Sequence, residues 1–269
     1  MINRVCSVFF ALCVPLAAFA ASDAKFQADM VLIPTGPFTM GGNAGPEDER
    51  PQHRVALGEY LIDRNKVTNG QFAGFINAKG THAADGQRWY DTDDNDARIH
   101  RRNGRWSADP GHENDPVVEA SWHGARAYCE WLGKRLPTEA EWEKAARGTD
   151  GRKFPWGNEP PDKTRAHFDS GWNELKPVGS LPKGASPFGV LDMAGNGWEW
   201  VSSAYLPYPY DPNDGREDLK RDVVRGTRDG WPLIRRAENR GIRAAGIITL
   251  VFVAPGNRAV FDLCQVIYS

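Results

Sequence analysis

Cysteine is scarce in this chain. Only Cys6, Cys13, Cys129 and Cys264 occur in 269 residues. Cys6 and Cys13 fall in the apolar N-terminal stretch, so the remainder has material for at most one disulfide. It carries no zinc motif. An excess of one charge is also missing: the formal net charge is -2, with no basic bias toward nucleic acid. Beyond residue 20 no apolar run is long enough to span a bilayer. There is no internal repeat and no linker, which favours one domain. The nucleophile elbow of serine hydrolases and the glycine-rich phosphate loop are absent too.

Glycine and tryptophan are plentiful instead. With 28 Gly and 10 Trp, the composition points to a loop-rich fold around an aromatic core rather than a helical bundle. The N-terminus reads as a secretory leader over residues 1–20. Arg4 supplies the charge, Val8 to Ala18 the apolar stretch, and Ala18-Phe19-Ala20 the small-residue cut. On this reading the mature chain starts near Ala21, in the periplasm or outside the cell, as one domain over 21–269. No integral membrane segment is expected after leader removal.

Local chemistry marks several elements. Met30 to Met40 reads as two short strands about a Pro34 to Pro37 turn, and Val55 to Ile62 as one strand. Thr68 and Gln71 have capping-box spacing ahead of a helix with Phe72, Phe75 and Ile76 on its apolar face. Ser121 caps a second helix, with Ala125, Tyr128, Cys129 and Leu132 inward, which makes Cys129 a buried thiol. Thr138 and Glu141 open a third, with Ala140, Trp142 and Ala145 inward. Between the first two helices, residues 81–118 read as mostly irregular. Asp91 to Asp96 resembles the start of an EF-hand loop, but Asp96 stands where glycine is needed and Arg102 where glutamate is needed. The stretch reads as a solvated insertion.

The most informative run is Asp192-Met-Ala-Gly-Asn-Gly-Trp-Glu-Trp200. Gly195 and Gly197 permit a tight turn with exposed carbonyls. Asp192, Asn196 and Glu199 supply hard oxygen donors at short spacing, as a calcium loop requires. A tight turn between core aromatics with solvated acids fits the same residues.

Several stretches, taken together, resemble the formylglycine-generating enzyme (sulfatase-modifying factor) family. They are Ile33-Pro-Thr-Gly-Pro-Phe-Thr-Met-Gly41, Pro51-Gln-His53-Arg-Val55, Lys66-Val-Thr-Asn69, Val118-Glu-Ala-Ser-Trp122 and Ala127-Tyr-Cys-Glu-Trp131. The most specific is Lys134-Arg-Leu-Pro-Thr-Glu-Ala-Glu-Trp-Glu-Lys-Ala-Ala-Arg-Gly148. It is followed by Phe154-Pro-Trp-Gly-Asn158, Pro177-Val-Gly179 and the Asp192 to Trp200 run. The match runs in order from residue 29 to about 226.

The resemblance implies an α+β fold with a C-type-lectin-like core, little regular secondary structure and structural calcium. It implies that calcium is held by the Asp192 side chain, by carbonyls within the turn at Gly195 and Gly197, and by Glu199. A second family site should fall between His167 and Glu174, but His167 stands near an expected Asn, and a hard cation prefers oxygen to imidazole. His53 matches the family best among the histidines and reads as structural. His123-Gly124 occupies a place where the family commonly carries Asp, and no function is assigned to it.

The family's aerobic enzymes hold copper(I) on two close cysteines near the C-terminus, where soft thiolates suit it. This chain has no cysteine between Cys129 and Cys264, so a copper site is not expected and no catalytic residue is assigned. Beyond Arg225-Gly226 the tail departs from the family, although Pro255-Gly-Asn-Arg258 resembles its late turn. A divergent tail and a shifted reading frame both remain open. Arg235, Arg236, Arg240 and Arg243 read as a solvated basic face. The family includes exported members without the copper cysteines, some tied to siderophore chromophore oxidation and others accompanying copper nitrite reductase. Three functions follow: a maturation or oxidative tailoring factor for a periplasmic protein or peptide, a non-catalytic lectin-like binding module, or a protein inactivated by tail loss.

Overall fold

A computed structural model describes residues 30–44, 47–170 and 174–220, together with the backbone of short strands at 225–228, 236–238, 246–247 and 251–252. The expected leader, the four tail arginine side chains, the Pro255 to Arg258 turn and Cys264 lie outside the described residues.

Strands β1 (Met30–Ile33) and β2 (Gly36–Met40) flank the proline turn as expected. The single strand expected over Val55 to Ile62 is two, β3 (His53–Leu57) and β4 (Tyr60–Asp63), parted at Gly58-Glu59. Each half has its own antiparallel partner. Phe38 of β2 faces Val55 of β3, and Ile33 of β1 faces Tyr60 of β4. Since β1 and β2 separate at Pro34-Thr35, one straight strand could not serve both.

Helix α1 (Asn69–Lys79) starts at a full capping box between Thr68 and Gln71. Helix α2 (Trp122–Trp131) is capped by Ser121, whose hydroxyl accepts from the Gly124 N–H. Helix α3 (Glu139–Arg147) has a second capping box, Thr138 with Glu141. Phe72, Phe75 and Ile76 of α1 and Tyr128 and Cys129 of α2 form one aromatic core with Tyr90, Trp122 and Trp200. Cys129 is a free thiol, fully buried, and burial pushes its pKa well up, so it is chemically quiet. Val31, Ile33, Tyr60, Ile62, Trp142 and Val201 form a second core beneath α3.

One expectation holds and one is corrected. Most of the segment before α2 is irregular, although not all of it: β5 (Ile99–Arg102) and β6 (Arg105–Ala108) form a hairpin across Asn103-Gly104. Both turn residues have positive φ, 51° and 81°, the pattern that Asn-Gly favours in two-residue hairpins. Its acidic stretch, however, is not wholly solvated, because Asp91 is buried against Arg88 at 2.6 Å, and Ala97 and Ile99 enter the aromatic core.

After α3 the described chain has no further α-helix, as the proline and glycine content suggested. Strand β7 (Trp198–Ala204) leads out of the Asp192 to Trp200 run. It lies between β8 (Arg225–Arg228), antiparallel, and β10 (Gly246–Ile247), parallel. Strand β9 (Arg236–Glu238) extends that sheet beyond β8, and β11 (Val251–Phe252) pairs with β4. Among the described residues no helix is long and apolar enough to cross a membrane.

Candidate functional site

The turn before β7 is built from left-handed backbone. Asp192, Gly195, Asn196 and Gly197 have φ of 55°, 78°, 57° and 96°. Gly195 is doubly required there: a Cβ at this position would lie 2.1 Å from the His167 carbonyl oxygen. That carbonyl accepts the Asn196 N–H at 2.9 Å. The Asn196 side chain bonds both backbone groups of Lys176 at 3.0 Å, and Asp192 Oδ2 accepts from the Gly179 N–H at 2.6 Å. Two separate segments, one at His167 and one from Lys176 to Gly179, thus clamp the turn.

Three of the expected ligand positions, Gly195, Gly197 and Glu199, converge, and a residue not assigned to the site stands where they meet, while the Asp192 carboxylate is engaged by the Gly179 N–H. Lys66, in the link between β4 and α1, has a side chain only 1% exposed. Its Nζ donates to the carbonyls of Gly195 and Gly197, each at 2.9 Å, and lies 3.3 Å from Glu199 Oε1. Burial pushes the Glu199 pKa up; Lys66 and the Trp142 indole N–H act against that, and Asp192 adds to it. A calcium ion takes oxygen ligands at about 2.3–2.6 Å, so an ion at this centre would be pressed against an ammonium. With Lys66 in place, the residues do not fit calcium. The only sequence sign was a lysine beside the core residue Val67, at the head of a stretch otherwise read as a helix start.

His167, the doubtful member of the second family site, turns its Nε2 to the Glu174 carbonyl and, at 3.0 Å, to the Ser170 hydroxyl. His53 is held on both ring nitrogens. Its Nε2 accepts the Tyr210 N–H at 2.8 Å, and Nδ1 faces the Pro51 carbonyl at 2.8 Å. That is the bonding of a structural histidine. In the hairpin region, carboxylate oxygens of Asp94, Asp96 and Glu119 lie within 4.8 Å of one another, a cluster to which we assign no role.

A cavity of about 220 Å³ opens between α2, β7 and the Glu217 segment. Trp122, Leu136 and Leu219 give it apolar walls, and Arg126, Arg135 and Glu217 bring charge. Arg135 is committed to a bidentate pair with Glu141, at 2.6 and 2.7 Å. Glu217 accepts from the hydroxyls of Ser202 at 3.1 Å, Ser203 at 2.5 Å and Tyr210 at 2.8 Å. Burial nevertheless pushes its pKa up; the three hydroxyls oppose this and Glu139 reinforces it.

The folded state therefore binds the Glu217 proton more tightly than the unfolded chain. That stabilisation is full below the ordinary glutamate pKa and is lost as pH rises through the raised value. We expect the stability of the native protein, relative to Glu217→Gln, to fall between about pH 4 and pH 7. Urea unfolding at both pH values checks this, and parallel profiles for the two proteins would refute it.

Residues 17–243 match the family model described as sulfatase-modifying factor enzyme 1-like domain. The chain is 40% identical over 180 residues to serine/threonine-protein kinase pkn1 of Chlamydia caviae, covering 66% of this chain but 28% of that protein. It is 39% identical over 222 residues to the formylglycine-generating enzyme of Thermomonospora curvata, covering 67% of this chain and 73% of the relative. Against hercynine oxygenase of Mycolicibacterium smegmatis it is 36% identical over 206 residues, covering 66% and 46%. The solved structure of PvdO from Pseudomonas aeruginosa superposes with a TM-score of 0.61 at 26% identity, over 82% of this chain and 93% of that one. The chain thus spans less than a third of the first of these relatives. The motifs, the α+β architecture and these likenesses agree: the chain belongs to the sulfatase-modifying factor enzyme 1-like family.

Proposed function

We propose that this chain is an exported oxidative tailoring or maturation factor, one domain following a cleaved leader, that acts on a peptide or protein in the periplasm. The observation that carries this reading is that the chain resembles two differently named oxidative relatives, a formylglycine-generating enzyme and a hercynine oxygenase, at 39% and 36% identity. A scaffold that serves more than one such reaction supplies binding and orientation, while the chemistry rests on groups that differ among members. The kinase name of the chlamydial relative is not carried over, because the match covers 28% of that protein and this chain has no glycine-rich phosphate loop.

The copper route fits this chain poorly on donor chemistry. Copper(I) wants paired soft thiolates. Cys129 is sealed in the aromatic core of α2, and Cys264 stands far from it in sequence. Export is supported by the Arg4, Val8 to Ala18 and Ala18-Phe19-Ala20 pattern.

The test pairs an oxygen electrode with mass spectrometry. Purified mature protein is incubated with peptides from candidate periplasmic partners. Oxygen uptake matched by a mass change in one peptide is the expected result. Saturable binding with neither oxygen uptake nor mass change would overturn the reading in favour of a binding module.

A further inference from the structure

We propose that Lys66 is the resident cation of the turn before β7, so that the loop folds around the chain's own ammonium and needs no calcium. Four observations carry this. The side chains of Lys66 and Glu199 are 1% and 0% exposed, so neither charge is balanced by bulk water. The Nζ has three donors, and two of them have carbonyl partners at hydrogen-bond distance, Gly195 and Gly197, with Asn196 O at the limit of 3.5 Å. Glu199 provides the countercharge at 3.3 Å. The left-handed φ values of residues 195–197 turn successive carbonyls to one side, an arrangement that would be electrostatically unfavourable without a cation at its focus.

A tethered ammonium and a free divalent ion do the same electrostatic work here by different thermodynamics. The metal brings two charges, but its occupancy depends on its concentration. Lys66 brings one charge that arrives with the fold and cannot be chelated. It also joins the link between β4 and α1 to a turn 129 residues later. Substituting Lys66 leaves the Gly195 and Gly197 carbonyls and the Glu199 carboxylate, with Asp192 near enough to influence Glu199. All are hard oxygen donors, and waters complete a calcium shell readily. Loss of the ammonium should therefore turn a metal-independent loop into a calcium-dependent one.

The test is thermal melting of the full mature chain in EGTA and in calcium chloride, with elemental analysis for calcium after extensive dialysis. The native protein should melt at the same temperature in both and hold no stoichiometric calcium. Lys66→Met should melt about 10 °C lower in EGTA, because a buried carboxylate has lost the ammonium beside it. It should then recover about 5 °C or more in saturating calcium. A native protein that is destabilised by EGTA, or that retains one calcium, overturns the proposal. So does a Lys66→Met protein that melts like the native one in EGTA. If Lys66→Met folds only in calcium, the proposal stands in its strongest form. If it folds in neither solution, the native melts and calcium content decide.

Discussion

Glu143→Ala is expected to lower the unfolding free energy by about 3–5 kcal/mol. Glu143 is fully buried in α3. Its Oε1 accepts from the Gly41 N–H and from Arg147 Nη1, both at 2.7 Å. Arg147 Nη1 in turn donates to the Gly41 carbonyl at 3.0 Å, so the pair holds both polar backbone groups of Gly41. This clamp fastens the end of β2 to α3. Truncation leaves a guanidinium with an 8% exposed side chain and no carboxylate beside it, and leaves the Gly41 N–H without its acceptor. The cost comes chiefly from stranding those groups, since a buried pair contributes little net stability against an apolar replacement. Glu143→Ala with Arg147→Met should therefore recover part of the loss. Denaturant titration measures both variants. A single-mutant loss under about 1 kcal/mol would show that the clamp is not needed.

Gly124→Ala should cost about 3 kcal/mol or more, although alanine is the better helix former. Gly124 lies in the first turn of α2, where a Cβ would fall 2.1 Å from the Trp89 carbonyl oxygen and 2.9 Å from its Cα. Backbone cannot swing aside as a side-chain tip can. The helix must retreat, and the Ser121 N–H to Trp89 carbonyl bond at 3.0 Å goes with it. Gly74→Ala in α1 is the matched comparison: nothing lies within 4 Å of its Cβ position, so alanine should stabilise by about 1 kcal/mol. Opposite signs for the two substitutions are the expected outcome, and equal effects would mean that helix propensity alone governs both. The same contact accounts for His123-Gly124, where no function was visible: the glycine admits the Trp89 backbone.

The parts of this fold legible in the sequence are those whose causes lie within a few residues. Thr68 with Gln71 and Thr138 with Glu141 place two helix starts because the reciprocal bonds span only three residues. The Asn103-Gly104 turn was equally local and passed unread within a polar stretch. The inward face of α3 was read only in part. Ala140, Trp142 and Ala145 are buried as expected, but so are Glu139, Glu141, Glu143, Lys144 and Arg147. A charged residue looks solvent-facing until its partners are known. Lys144 Nζ donates to the Pro34 and Gly36 carbonyls at 2.6 and 2.9 Å, more than a hundred residues away.

The Asp192 to Trp200 run divides in the same way. Sequence determined the family, the tight turn and the convergence of Gly195, Gly197 and Glu199, because glycine spacing and carboxylate position are local properties. The tertiary structure decided what stands at their focus. A cage of carbonyls attracts any cation, and no spacing rule within the run distinguishes a free calcium ion from an ammonium delivered by Lys66. Only the packing of β4 and α1 against the turn before β7 brings that ammonium within 2.9 Å of both glycine carbonyls.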